Sequence, residues 1–239
     1  MAIEPFLAMT AAEIRNLGVL SPRIAWMSCH FSSYGRGLSN LPDSLPPGSL
    51  LVVDDSTPVC GHDPEQIREQ LTGCLQTMAL SGILLDFQRQ NVPEAEELVK
   101  YLIDCLPERV VVSEGYADKV VPVFLSPLPP SVPLRNYLRQ WEGREIWLDL
   151  SPAPECLHLT EAGCTREWLQ MGAYPEGTFA DEALHCHYRI SLEEKTADFM
   201  LWRTWEDLCA LMEEAQFLGV RNAVGLYQEW EALGWPVPL

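Results

Sequence analysis

Asp86 and Gln88 lie two residues apart near the end of the stretch "SGILLDFQRQ", Ser81–Gln90. On an extended chain that spacing puts both side chains on one face with Gly82 and Leu84, while Ile83, Leu85 and Phe87 take the other. A carboxylate there can orient a polar substrate or move a proton. A glutamine amide can hydrogen-bond a hydroxyl but has no proton to give at neutral pH. Carboxylates also close other apolar runs: Asp54 and Asp55 end "SLLVVDD", Glu114 ends "RVVVSE", Asp149 sits in "REIWLDLSP" and Glu229 in "NAVGLYQEW". Two carboxyl groups about 5 to 9 Å apart across one cavity would serve acid/base hydrolysis, and aromatic side chains beside them would stack on sugar rings. Asp86, Gln88, Glu114, Asp149 and Glu229 are therefore the candidate catalytic residues. Asp54, Asp55, Tyr116, Trp147, Arg203 and Tyr227 are the candidate substrate-binding residues, with Ser28, His30, Ser126 and Gln228 at similar run ends.

For these residues to meet, the runs that carry them must be neighbouring strands whose C-terminal ends share one side of the molecule. The pattern supports this. "RIAWMSC" (Arg23 to Cys29) follows a helix opened by the capping box Thr10-x-x-Glu13. "SLLVVDD" (Ser49 to Asp55) follows a Pro-rich connection. "DPEQIREQLTGCLQTMAL" has Asp63 as N-cap, Pro64 at the first helical position and apolar residues at Ile67, Leu71, Cys74, Leu75 and Met78, the spacing of an amphipathic helix. "VPEAEELVKYLIDCL" (Val92 to Leu106) predicts a second. "RVVVSE", "VVPVFLSP" (Val120 to Pro127) and "REIWLDLSP" (Arg144 to Pro152) follow, with a helix "LRNYLRQW" before the last and an irregular crossover through "GYADK". "LHCHYRI" and "ADFMLWR" flank the polar "SLEEKT" as a β-hairpin near residues 184–203, its second arm returning to the main sheet. Thr204-x-x-Asp207 caps a further helix, Gly219 ends it, "NAVGLYQEW" supplies the last strand, and "WPVPL" is a tail without chemistry. With the hairpin arm counted, eight parallel strands alternate with helices, the number that closes an α/β (β/α)8 TIM-type barrel. An open doubly wound sheet would carry a Gly-rich phosphate loop after its first strand, and "SCHFSSYGRG" is not one. Residues 1–239 read as a single domain.

"SGILLDFQ" resembles the DGxDxDxE strand motif of the chitinase-like family-eighteen glycoside hydrolases. In that family the last glutamate is the general acid, the aspartate before it orients the substrate acetamido group, and the substrate supplies its own nucleophile. Gly82 matches the motif glycine and Asp86 its last aspartate, whereas Ser81 and Leu84 replace the first two aspartates and Gln88 replaces the acid. The family places this motif on its fourth strand, and it is the third in the count above. The resemblance implies a carbohydrate-facing mouth with a degenerate or altered catalytic apparatus, in which an active enzyme would recruit Glu114, Asp149 or Glu229 instead.

The chain holds 34 acidic and 16 basic residues, a formal charge of -18, so phosphate backbones and anionic lipid surfaces are repelled and nucleic acid and membranes are poor partners. The expected ligand is a carbohydrate or another small polar molecule. No signal-peptide pattern and no long apolar run appear, which predicts a soluble cytoplasmic protein. The eight cysteines, without a CxxC pair, read as free and mostly buried thiols. Cys60 and His62 in "TPVCGHD" read as ordinary loop residues. His185 and His187 share a strand face, and only His30, His62 and His158 could join them around an ion, so no metal and no cofactor is assigned. Two other readings stand beside the hydrolase-like barrel: a non-catalytic glycan- or protein-binding barrel, and a small-molecule hydrolase using His185 and His187 with a metal.

Overall fold

The computed structural model describes residues 3–17, 23–117, 121–172 and 178–234. Part of the "GYADK" crossover, Val120 and the tail "WPVPL" lie outside them. The chain runs through β1 (Phe6–Met9), α1 (Ala11–Leu17) and β2 (Ile24–Phe31), on whose end the short β3 (Leu38–Ser39) pairs antiparallel. β4 (Leu50–Asp54), α2 (Pro64–Thr77), β5 (Gly82–Asp86), α3 (Pro93–Cys105) and β6 (Val110–Ser113) alternate after it. Next come β7 (Val123–Phe124), α4 (Leu134–Leu138) and β8 (Ile146–Asp149), then five further strands, β9 (Glu155–Thr160), β10 (Gly163–Trp168), β11 (Phe179–Asp181), β12 (Cys186–Leu192) and β13 (Ala197–Trp202). α5 (Trp205–Phe217), β14 (Asn222–Leu226) and α6 (Tyr227–Ala232) complete the described chain.

Among the described residues, eight parallel strands close a barrel: β1, β2, β4, β5, β6, β7, β8 and β14, with β14 pairing back onto β1. This is a (β/α)8 TIM-type barrel. Its membership differs from the sequence count in one exchange. β1 was not foreseen, because four apolar residues directly ahead of a helix cap are too short to show a period. The segment Ala197–Trp202, expected in the main sheet, pairs instead with β12 and β9 in a second, antiparallel sheet of order β10-β9-β13-β12-β11. Strands of a parallel barrel are buried on both faces, whereas β13 is buried only at Leu201 and Trp202. The expected hairpin exists as β12 and β13, within a larger insertion. With β1 counted, β5 is the fourth barrel strand, the place the motif resemblance requires.

The helix signals hold. Asp63 caps α2 by accepting the Glu65 N–H at 3.0 Å, and Ile67, Leu71 and Cys74 face the core. α3 buries Ala95, Leu98, Val99 and Leu102, and Thr204 and Asp207 form the capping box of α5. Inside the barrel sit Phe6, Ala8, Ala25, Leu50, Val52, Leu84, Val111, Phe124, Trp147 and Val224. The other strand faces pack on the helices in two clusters, one around α2 and α3, the other around α5 and Trp230.

The second sheet is fastened to the barrel by polar contacts. His187 Nδ1 lies 2.8 Å from Asp207 Oδ2 and His185 Nε2 lies 2.9 Å from Glu214 Oε2, both partners on α5. Glu155 is fully buried, pairs with Arg166 at 2.8 Å and accepts the Ser131 N–H. All eight cysteines are unpaired, and four of them, Cys29, Cys74, Cys156 and Cys186, are buried. Among the described residues no helix is long and apolar enough to cross a membrane.

Candidate functional site at the strand ends

Leu84 lies inside the barrel, so strand alternation carries Asp86 inward at the C-terminal end of β5. Asp54 is its register partner on β4, and His30 is the partner of Asp54 on β2, which forms a polar row across three adjacent strand ends. β2 reaches this row through an irregularity between Trp26 and Cys29. It reverses the strand's facing, for Ala25 packs inside the barrel while Cys29 and Phe31 pack on the helices.

Past the strand, the loop bearing Gln88 is held from three sides. Asp55, 4% exposed, accepts the N–H of Gln88 at 3.0 Å and of Arg89 at 2.9 Å. Ser113 accepts the Phe87 N–H at 2.8 Å and donates to the Leu85 carbonyl at 2.9 Å. The Tyr116 hydroxyl donates to the Arg89 carbonyl, and its ring meets Phe87 edge-on at 5.6 Å. The exposed Gln88 amide then donates to Asp86 Oδ1 at 2.5 Å.

Asp86, Gln88, Ser113, Glu114, Ser126 and Asp149 bound a cleft of about 90 Å³. Glu114 accepts the Ser126 hydroxyl at 2.7 Å, and the Tyr137 hydroxyl donates to the Ser126 carbonyl at 2.5 Å. Burial, then the carboxylates of Asp54 and Asp55, push the Asp86 carboxyl above the usual range, against hydrogen bonds from Gln88 and Ser113. Burial, Glu229 and Asp86 hold Asp149 well above it, and burial raises Glu229 against a hydrogen bond from Ser151. Burial, with Glu114 and Asp149 nearby, also raises the Tyr137 phenol. Asp86, Asp149 and Glu229 therefore resist ionising together and hold protons more readily than free carboxylates do. A larger hollow of about 350 Å³, around Arg135, Trp141 and Arg144, lies at the N-terminal end of β8, the face of a barrel associated with stability.

The structure brings Asp54, Asp86, Gln88, Glu114, Asp149 and Glu229 to the barrel mouth. Trp147 lies one inward step below Asp149, 7% exposed and stacked on Phe6 at 5.4 Å, so it is a floor rather than an open platform. Asp55 and Tyr116, expected to touch ligand, instead hold the Gln88 loop. Tyr227 and Arg203 are placed elsewhere. Tyr227 opens α6 just past β14 and packs in the helix-side cluster, and its hydroxyl donates to Glu231 at 2.7 Å. Arg203 follows β13 rather than a barrel strand; it is 1% exposed and donates to the Leu128 and Pro129 carbonyls at 2.7 and 3.3 Å. Ser113 and Tyr137 were not singled out from the sequence. Ser113 has the parity of the inward Val111 and could have been found by that rule, whereas nothing local marks Tyr137.

Solved structures similar to this barrel include chitinases and chitinase-like proteins. No family model matches the chain. The chain is similar to the chitinase-like agglutinin RobpsCRA from Robinia pseudoacacia, with a TM-score of 0.62 and 10% identity over 98% of this chain and 100% of that one. A Glu-to-Gln mutant of the class V chitinase from Nicotiana tobaccum, in complex with NAG4, matches with a TM-score of 0.58 and 8% identity over 100% of both chains. The spore cortex-lytic enzyme SleL from Bacillus cereus matches at 0.56 and 10% identity over 98% of this chain and 74% of that one. At these identities the likeness is one of fold, and the chain has a chitinase-like barrel.

Proposed function

We propose that this protein is a chitinase-fold glycan binder whose cleft takes an N-acetylated sugar and does not cut it by the substrate-assisted route. The observation that carries this reading is the Gln88 amide, hydrogen-bonded to Asp86 at the end of the fourth barrel strand, where the motif places its acid. An amide there can satisfy an acetamido or hydroxyl group but cannot protonate a leaving oxygen. The narrow cleft suits one small polar substituent. Two of the similar structures support a sugar as ligand, an agglutinin and a mutant enzyme captured with NAG4. A cytoplasmic setting, where thiols stay reduced, fits the eight unpaired cysteines.

The raised carboxyls of Asp149 and Glu229 favour a second reading, in which the protein hydrolyses its ligand with that pair as the proton source. One experiment separates the two. N-Acetylglucosamine oligomers are titrated in a thermal-shift assay and recovered for mass analysis, with wild type and Gln88→Ala compared. Binding at 100 times Kd stabilises the folded state by about 2.7 kcal/mol. The expected outcome is a saturable shift, oligomers recovered intact, and about tenfold weaker binding by Gln88→Ala from the lost hydrogen bond. Shortened oligomers that disappear with Asp149→Asn would establish the second reading, and the absence of any shift would remove the sugar.

A further inference from the structure

On the second sheet, outside the barrel, three kinds of metal donor meet on one face. β9 carries Cys156 and His158 two residues apart, so both point to the same side. Asp198 on β13 lies directly opposite His158, and Glu167 on β10 lies directly opposite Cys156. Residues opposite one another in an antiparallel pair share a face. Three adjoining strands thus present a thiol, an imidazole and two carboxylates together.

The ligand atoms of Cys156, His158 and Asp198 all lie within 4.8 Å of one another. His158 Nδ1 is 2.9 Å from Asp198 Oδ1 and 3.9 Å from Cys156 Sγ, and His158 Nε2 is 3.4 Å from Glu167 Oε2. A tetrahedral zinc ion with bonds of about 2.0 to 2.3 Å needs donors roughly 3.3 to 3.8 Å apart, within an ångström or so of the spacings among His158 Nδ1, Asp198 Oδ1 and Cys156 Sγ. The Cys156 residue is only 7% exposed, and its thiol is aimed into this cluster rather than toward solvent. His158, Asp198 and Glu167 keep part of their surface in water and leave an ion a way in.

We propose that Cys156, His158 through Nδ1 and Asp198 hold a zinc ion between β9 and β13, with water in the fourth position and Glu167 on β10 accepting the His158 Nε2–H to fix the ring. The mixed sulfur, nitrogen and oxygen set suits zinc over magnesium or calcium, which take oxygen alone. On binding, Cys156 gives its proton to solvent and the thiolate becomes a ligand. This site is independent of the cleft, and its metal would brace the sheet without touching a sugar.

The test uses the full chain, kept reduced, stripped with a chelator and titrated with cobalt and then zinc. One equivalent of cobalt should bind with a thiolate-to-metal charge-transfer absorption, zinc should displace it, and zinc should raise the melting temperature. Cys156→Ser should lose the absorption and weaken binding by more than about 100-fold, while Cys164→Ser, which removes the exposed cysteine of β10, should change neither. A wild-type chain with no charge-transfer band, or a band that survives in Cys156→Ser, overturns the site. If that variant fails to fold, Asp198→Asn decides: weaker cobalt binding supports the assignment, and unchanged binding overturns it.

Discussion

Asp149 stands where charge is least welcome, among Asp86, Glu229 and the barrel floor, and its raised pKa fixes a pH dependence. Such a group binds protons more tightly in the folded than in the unfolded chain, so its stabilising share is complete below the ordinary carboxylate value, about 4. It is lost as pH rises toward the raised value. Asp149→Asn should therefore melt higher than wild type at pH 7, by a few degrees given about 2 to 4 °C per kcal/mol for a chain of this size, and the two melting curves should converge near pH 4. A gap that persists unchanged at low pH would mean that Asp149 is ionised throughout. At this scale the sequence revealed parity and little else. Asp86 could be aimed inward because Leu84 and Gly82 alternate with the helix-facing Ile83 and Leu85. Asp55 could not be told from a ligand-binding carboxylate, because its task is to hold backbone N–H groups 33 and 34 residues further along the chain. Tyr227 is the first residue of α6, just past β14, where strand alternation no longer says which way a side chain points.

Elements with local signatures were readable and elements defined by their partners were not. α2 and α5 announce themselves by caps and apolar spacing, and α3 by apolar spacing behind Pro93. β1 has only four residues, and β13 has a strand's composition but nothing that says which sheet it joins. Once β1 is counted, β5 becomes the fourth strand and the motif agrees with its expected place. β14 shows how closely an outer helix can sit. Trp230 of α6 is fully buried against the strand, with its indole donating to the Leu150 carbonyl at 3.0 Å, and a Cβ on Gly225 would stand 2.1 Å from Trp230 Cζ2. Gly225→Ala should cost about 1 to 3 kcal/mol through this overlap, read as a lower melting temperature. A variant as stable as wild type would mean that the indole swings aside freely.

At the scale of the molecule, we read barrel and second sheet as one folding unit. Arg203 is buried on the backbone of the loop after β7, and His185 and His187 reach α5. Calorimetry should then give a single transition, with the calorimetric and van't Hoff enthalpies equal. Two resolved transitions would divide the chain in two. The sequence suggested the barrel because its βα alternation is local, but the size of the insertion was hidden, since antiparallel pairing of exposed strands leaves only weak alternation.

The closing pair of the barrel sets a timetable for biogenesis. Phe6 takes its partner Val224 from nearly the other end of the described chain. At about 5 to 20 residues per second, a ribosome needs on the order of ten seconds or more to deliver that partner, during which one edge of the nascent sheet stays open. Newly made chains are thus exposed to mispairing until synthesis has passed the last strand, and holdase chaperones would matter most in that interval.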